Sequence, residues 1–165
     1  MGPLLPEPIA LRIEAVSLTH PDAARLIEEV QEEYVVRYGG RDDTPMDSTE
    51  FEGEKGRFFV GYDNGVPVVT GAWRWHEPIP DAPAPSVEIK RMYVAKTHRG
   101  RGLARVMLAH LERTGAAAGA RSIILETGLA QPEAIALYES SGYRPVPGFG
   151  FYRDAPLNRC FAKTL

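Results

Sequence analysis

One stretch of this chain, Arg99-Gly-Arg-Gly-Leu-Ala104, has the residue types and spacing to bind a strongly charged anion. Two glycines let the backbone turn tightly, and two arginines can grip phosphate oxygens bidentately. Its flanks decide its use. Ser86 to Val94 (SVEIKRMYV) reads as a strand, and Leu103, Val106, Met107, Leu111 and Thr114 recur at three- and four-residue steps, a helix with one apolar face. A strand, a glycine turn and a helix start gather several partnerless backbone N–H groups in one concave spot. The positive end of the helix dipole adds to them there.

Two fingerprints for nucleotide phosphates fail at this turn. A P-loop needs Lys-Ser or Lys-Thr after the glycines, and neither follows. The G-x-G-x-x-G dinucleotide pattern begins at Gly100 and Gly102 but meets Arg105 where its third glycine would let helix and strand pack closely. A second stretch lies downstream. Ile123-Ile-Leu-Glu-Thr-Gly128 reads as a buried strand, and Gln131-Pro-Glu-Ala-Ile-Ala-Leu-Tyr-Glu-Ser-Ser-Gly-Tyr143 as a helix. Pro132 suits its first position, Ala134, Leu137 and Tyr138 share a face, and Gly142 suits its end.

Arg99, Gly102 and Ala104 together resemble the R/Q-x-x-G-x-G/A acyl-CoA signature of the GCN5-related N-acetyltransferase (GNAT) family. Ala134 to Tyr143 looks like the A-x-x-L-Y-x-x-x-G-[FY] ending of that family's last helix. The resemblance covers Ser86 to Tyr143 and implies an α/β fold. Its mixed, mostly antiparallel sheet of six to seven strands splays between strands four and five (Val87 to Val94 and Ser122 to Thr127), with helices on both faces. It implies an enzyme that moves the acetyl group of acetyl-CoA, its cosubstrate, to a primary amine by direct transfer in a ternary complex. Backbone amides of Met92, Tyr93 and Val94 would then polarise the thioester carbonyl. Those of Arg99, Gly100, Arg101, Gly102, Leu103 and Ala104 would hold the pyrophosphate, with the two arginine side chains as secondary clamps and Gln131 as a further cofactor contact. Tyr138 would face the sulfur, and a phenol of pKa near ~10 can protonate a leaving thiolate. Glu88 stands where many relatives keep a general base, with Glu126 as its rival. Beside Lys90 and Arg91, Glu88 reads equally well as one half of an ion pair. The alternative function is a non-catalytic acyl-CoA-binding or sensor module on the same fold, although such a module has no use for a phenol beside the sulfur.

The rest of the chain must position these groups. Ile9 to Val16 alternates as a strand, and Thr19 with Asp22, three apart around Pro21, reads as a helix start. Ala23, Ile27, Val30, Tyr34 and Tyr38 carry that helix to Gly39-Gly40, and a short helix is expected near Asp47 to Glu52. Phe58 to Tyr62 and Val66 to Trp75 form a hairpin through Asp63-Asn-Gly65, and four prolines make residues 77–85 a loop. Tyr143 to Val146 and Asn158 to Lys163 close the chain as a strand pair. Trp73, Trp75, Phe149, Phe151 and Tyr152 are expected to wall the acceptor site, with the first helix and the Arg41 to Glu54 loop as a lid.

Composition narrows the classes further. The 165 residues are 44% apolar and 25% charged with a net charge of −3, which suits one globular domain over 1–165 and gives nucleic-acid binding little electrostatic support. The partner expected is a small-molecule or peptide amine, and the chain a monomer or homodimer. Cys160 is the single cysteine and reads as a small core residue, which fits a cytoplasmic setting. The four histidines show no metal-ligand spacing, so no metal is expected, and no segment approaches the ~20 apolar residues of a membrane span.

Overall fold

The computed structural model describes residues 10–165, so Ile9 lies outside the described residues. The elements run β1 (Arg12–Ala15), α1 (Pro21–Tyr38), a 3-10 turn (Ser48–Phe51), β2 (Gly56–Asp63), β3 (Val66–His76), β4 (Ser86–Val94), a second 3-10 turn (Lys96–His98), α2 (Leu103–Ala117), β5 (Ser122–Gly128), α3 (Pro132–Ser140), β6 (Arg144–Val146) and β7 (Asn158–Thr164). The strands form one seven-stranded sheet in the order β1-β2-β3-β4-β5-β7-β6. All neighbours are antiparallel except β4 and β5. No described helix is long and apolar enough to cross a membrane.

The parallel pair matters most. β4 and β5 align from Ser86–Ser122 to Ile89–Leu125 and no further, although β4 continues to Val94 and β5 to Gly128. Beyond that point the strands diverge, the splay that the family resemblance implied. On its other edge β4 stays paired with β3, where the register slips between Thr70 and Ala72. The slip is a bulge at Arg91, whose φ of 54° is left-handed. A non-glycine residue held there is strained by about 1–3 kcal/mol, so its neighbours must hold it in place.

Each face of the sheet carries its own core. α2 buries Leu103, Met107, Leu108, Leu111 and Gly115 against Trp73, Val87, Ile89, Ile123 and Leu125. The sequence stripe included Val106, which is 46% exposed, and missed Leu108, because the buried face of α2 runs through 103, 107, 111 and 115. Gly115 permits that approach, since a Cβ there would sit 3.2 Å from Val87 Cγ2. On the opposite face α1 buries Ala23, Leu26 and Val30 against Phe58, Val60, Ala72 and Tyr93.

Local chemistry sets the ends of α1. Its N-cap is His20, whose Nδ1 accepts the Asp22 N–H at 3.1 Å; Thr19 is instead 2.9 Å from the Ser17 hydroxyl. Gly39 ends it at φ 77°, with its N–H on the Val35 carbonyl. In the β2–β3 hairpin Asn64 and Gly65 both take positive φ, the two-residue turn expected from their types. The expected short helix is one 3-10 turn with a full capping box between Asp47 and Glu50.

Leu111 is fully buried beneath the sheet at the centre of α2. Leu111→Ala should destabilise the protein by about 2–5 kcal/mol through lost burial and the cavity left behind. Denaturant unfolding measures this, and a change below about 1 kcal/mol would mean that α2 is not anchored there.

Candidate active site

Where β4 and β5 part, a cleft of about 530 Å³ opens between them. One end is the β4–α2 turn. Gly100 and Gly102 sit at φ 76° and 77° with open space where a Cβ would be, so backbone conformation and not crowding requires glycine here. Gly102 is the N-cap of α2 and no side chain caps the helix, which leaves the first amides of α2 available to an anion at the positive end of its dipole. Gly100, Gly102, Leu103 and Ala104 all line the cleft.

The strand edge supplies further donors. The Ala95 N–H bonds back to the Val68 carbonyl on β3 at 2.8 Å. Strand alternation therefore turns the amides of Met92 and Val94 towards the open edge and that of Tyr93 towards β3. The Tyr93 side chain is buried on the α1 side, where its hydroxyl donates to Glu29 at 3.2 Å. The bulge that sets this phase is held by two contacts. The Thr70 hydroxyl donates to the Arg91 carbonyl at 2.7 Å, and the Arg91 guanidinium donates to Asp42 Oδ2.

Asp42 is a hub. Its Oδ1 accepts the Thr44 N–H and hydroxyl, its Oδ2 faces both Arg91 and Lys90, and its backbone is clamped by the buried Gln31 amide. Against its own burial, these partners hold the Asp42 carboxyl well below the usual carboxylate range. This hub was not legible from residue types, because nothing in an arginine announces positive φ. The one available signal was Gln31, a polar residue facing inward on an otherwise apolar helix.

At the inner end of the cleft, two polar atoms stand out. Among the described residues, Arg91 Nε and Glu126 Oε1 are the buried side-chain polar atoms without a hydrogen-bond partner, and both residues line this cleft. Unpaired buried polar groups are costly, and both atoms are closed off from solvent, Glu126 Oε1 lying beside Gly150. The Glu126 carboxyl is pushed up to about 7, first by burial and then by the Glu88 carboxylate, with Lys90 opposing.

Several expected site residues are placed differently. Glu88 is 3% exposed, accepts from Arg74 Nε at 3.2 Å, and is not among the residues lining the cleft. Its ion-pair partner is thus Arg74 across the β3–β4 ladder. Arg99 lines the cleft, but Glu33 of α1 holds its guanidinium bidentately at 2.9 and 3.0 Å, and its Nε donates to the Val94 carbonyl. Arg101 is exposed. Gln131 lines the cleft and accepts the Tyr38 hydroxyl at 3.1 Å. Tyr138 is 5% exposed at the cleft wall, set edge-on to Tyr143 at 5.5 Å, and burial raises its phenol above the ordinary value. Of the expected acceptor aromatics, Tyr152 borders a second cavity, and the exposed Phe151 packs edge-on to Tyr152. Trp73 lies in the α2-side core with its N–H on Thr114, Trp75 donates to the Glu54 carbonyl, and Phe149 packs on His76. Cys160 is buried, as a core residue should be.

A family model described as the acetyltransferase (GNAT) family matches residues 24–143. The chain belongs to the acetyltransferase (GNAT) family. Its matched span runs from α1 through the last cleft helix, so it includes every element that borders the splay. A curated relative from Azospirillum brasilense, named "IAA acetyltransferase", is 40% identical over 78 residues, 47% of this chain and 51% of that protein. The chain therefore spans about half the length of that relative. Among solved structures, a Klebsiella pneumoniae protein provisionally described as an acyl-CoA N-acyltransferase superposes with a TM-score of 0.77 at 25% identity, covering 94% of this chain and 98% of its own. A GNAT family acetyltransferase from Elizabethkingia anophelis, solved with acetyl-CoA bound, gives 0.63 at 14% identity over 94% of this chain and 98% of its own, a likeness of fold alone.

The environment of Glu126 has a consequence for stability. Its folded pKa of about 7 lies above its ordinary 4.5, so the stability it contributes is full below about pH 4.5 and is lost as pH rises through 7. Glu126→Gln removes that loss. The variant's advantage in thermal melting should be small at pH 4, grow up to about pH 7 and level off above; a pH-independent difference would show that Glu126 titrates normally.

Proposed function

We propose that this acetyltransferase moves the acetyl group of acetyl-CoA to a primary amine by direct transfer in a ternary complex. The observation that carries the reading is the cleft itself. One end offers uncapped helix amides suited to a diphosphate, and the other offers a buried donor and a buried acceptor without partners. Acetyl-CoA fits those features: an anionic end for the β4–α2 turn, and a slender arm for the gap between two unpaired strand edges. When bound it supplies an electrophilic thioester carbon and a thiolate leaving group.

The chain's own residues divide the work. Backbone amides of Gly100 to Ala104 hold the diphosphate, while Arg99, anchored to Glu33, braces the turn from the α1 side. Amides of Met92 and Val94 point where the thioester oxygen gains charge, and a preorganised donor of that kind is worth roughly 3 kcal/mol of barrier. Gln131, tied to Tyr38, borders the cofactor arm. Glu126 takes the proton that the amine nitrogen loses on attack, since it lines the cleft with one unpartnered oxygen and titrates near neutrality. Glu88, withdrawn from the cleft and paired with Arg74, sets the charge environment of Glu126 instead of touching substrate. Tyr138 stays protonated through the working pH range and gives its proton to the departing sulfur. The small-molecule or peptide nature of the amine follows the same reading.

Isothermal calorimetry with acetyl-CoA, CoA and ATP, followed by thiol release with an amine panel, tests the function. Binding of the two CoA species but not ATP, with amine-dependent thiol release, is expected. CoA binding without thiol release from any amine would favour a binding module. For the base, kcat/KM should rise with pH to a plateau above about 7, and Glu126→Gln should lower it by ~10²-fold or more and abolish that rise. An unchanged pH profile would remove Glu126 from the chemistry. Tyr138→Phe should lower kcat far more than acetyl-CoA affinity, and equal turnover would refute its role.

A further inference from the structure

The bulge on β4 changes the direction of everything that follows it. Thr70 of β3 pairs with Tyr93 and Ala72 with Lys90, so Gly71 alone stands opposite two residues, Arg91 and Met92. One extra residue reverses the alternation of a strand. The reversal is visible in the packing. Val87 and Ile89 lie in the α2-side core, and unbroken alternation would add Tyr93 to that face, yet Tyr93 packs in the α1-side core. The backbone reverses with the side chains. With the bulge the amides of Met92 and Val94 face the open edge; without it they would turn to β3, and the Tyr93 amide would face the gap.

The bulge needs support, because Arg91 sits at φ 54°, where a side chain is disfavoured. On one side the Thr70 hydroxyl donates to the Arg91 carbonyl at 2.7 Å. On the other the guanidinium donates to Asp42, 49 residues earlier in the chain. Both partners are largely withdrawn from water, with side chains 5% and 13% exposed.

Asp42 is itself firmly placed. The Gln31 side chain donates to its carbonyl at 3.2 Å and accepts its N–H at 2.8 Å. Its Oδ1 is taken by the Thr44 N–H and hydroxyl, which leaves Oδ2 to face Arg91 and Lys90. The next N–H, of Asp43, donates to the Tyr152 oxygen at 2.7 Å and ties this loop to the β6–β7 loop. A carboxylate fixed from several sides can hold a strained neighbour in a way that a mobile surface residue cannot.

We infer that Asp42 is a positioning residue for acetyl transfer: through the Arg91 guanidinium it holds the left-handed backbone at Arg91, and so keeps the Met92 and Val94 amides aimed at the thioester oxygen. This rests on the transferase reading above. Asp42 touches no reacting atom, and its effect passes through the backbone.

Two substitutions at one position isolate that effect. Arg91→Gly and Arg91→Ala both remove the guanidinium, but only glycine takes positive φ without strain. The measurement is kcat for thiol release at saturating acetyl-CoA, with the most active amine among 2-phenylethylamine, glycine, spermidine and an alanine-initiated tetrapeptide. Arg91→Gly should exceed Arg91→Ala by about fivefold or more, the factor expected when backbone strain is left unopposed. Equal kcat values would show that the bulge holds itself, and would overturn the inference. The Kd of CoA, which lacks the acetyl oxygen, should change less than kcat does in Arg91→Ala. A parallel loss of both would mean that the whole cleft has failed, and would also overturn it.

A double-mutant comparison tests the route. Asp42→Asn should lower kcat by about tenfold or more in the native protein, as misaimed oxyanion donors require. In the Arg91→Gly protein, where glycine keeps the bulge unaided, the same change should cost less than about threefold. An equal loss in both proteins would show that Asp42 acts through Lys90 or on the substrate. Should Asp42→Asn fail to fold, the glycine–alanine comparison decides alone, since Asp42 there keeps Lys90 and Thr44. Absence of CoA binding or of amine-dependent thiol release by the native protein would instead overturn the transferase reading beneath, so the two failures are distinguishable.

Discussion

Everything functional in this protein depends on a parallel strand pair that stops early. β4 and β5 share a ladder only to Ile89 and Leu125, and beyond it each strand keeps a partner on its far side alone. Buried backbone N–H and C=O groups must bond to something, and an edge opened in the middle of a sheet has no neighbouring strand to use. A ligand lying in the gap would meet the amides of Met92 and Val94, which face the open edge. The bulge at Arg91 sets their direction, and it persists because Thr70 and Asp42 hold a conformation that arginine would not adopt alone.

Charge is arranged around the gap with equal economy. Asp42 faces both Lys90 and Arg91, Glu88 and Glu50 both pair with Arg74, and Glu126 keeps an unpartnered oxygen. Burying a carboxyl in this way sacrifices stability above neutral pH, and the same burial brings its proton affinity into the range useful to a base. Stability and the proposed base role are therefore opposed at one residue. Glu33, between Arg99 and Arg37, extends the network to the β4–α2 turn and, through Arg37 and Glu133, to the start of α3. α1 thereby touches both ends of the cleft.

Much of this was legible from residue types. Strand and helix positions followed from periodicity, the Asn64-Gly65 turn from its chemistry, and the tight β4–α2 turn from two glycines between a strand and a helix. Glu88 illustrates what was not. A carboxylate on a strand reads alike whether it faces a cleft or a neighbouring arginine, and its partner Arg74 is fourteen residues away in sequence. Trp73 and Trp75 were expected at the acceptor site because aromatics near loops often line sites, yet register buries one in the α2-side core and turns the other to the Glu54 carbonyl. Beside the expected Tyr152, the second cavity is walled by Tyr34 and Tyr38 of α1, whose spacing already had a sufficient explanation as a helix face.

Local order in the chain, from capping residues, glycines at left-handed positions and apolar periods, settled which elements form and where the glycine turn before α2 lies, because those choices depend on neighbours a few residues apart. Which carboxylate stands open, which arginine is strained and which tyrosines share a cavity depended on contacts between segments tens of residues apart. Such contacts arise only when strand register and helix docking bring the segments together, and no local pattern encodes them.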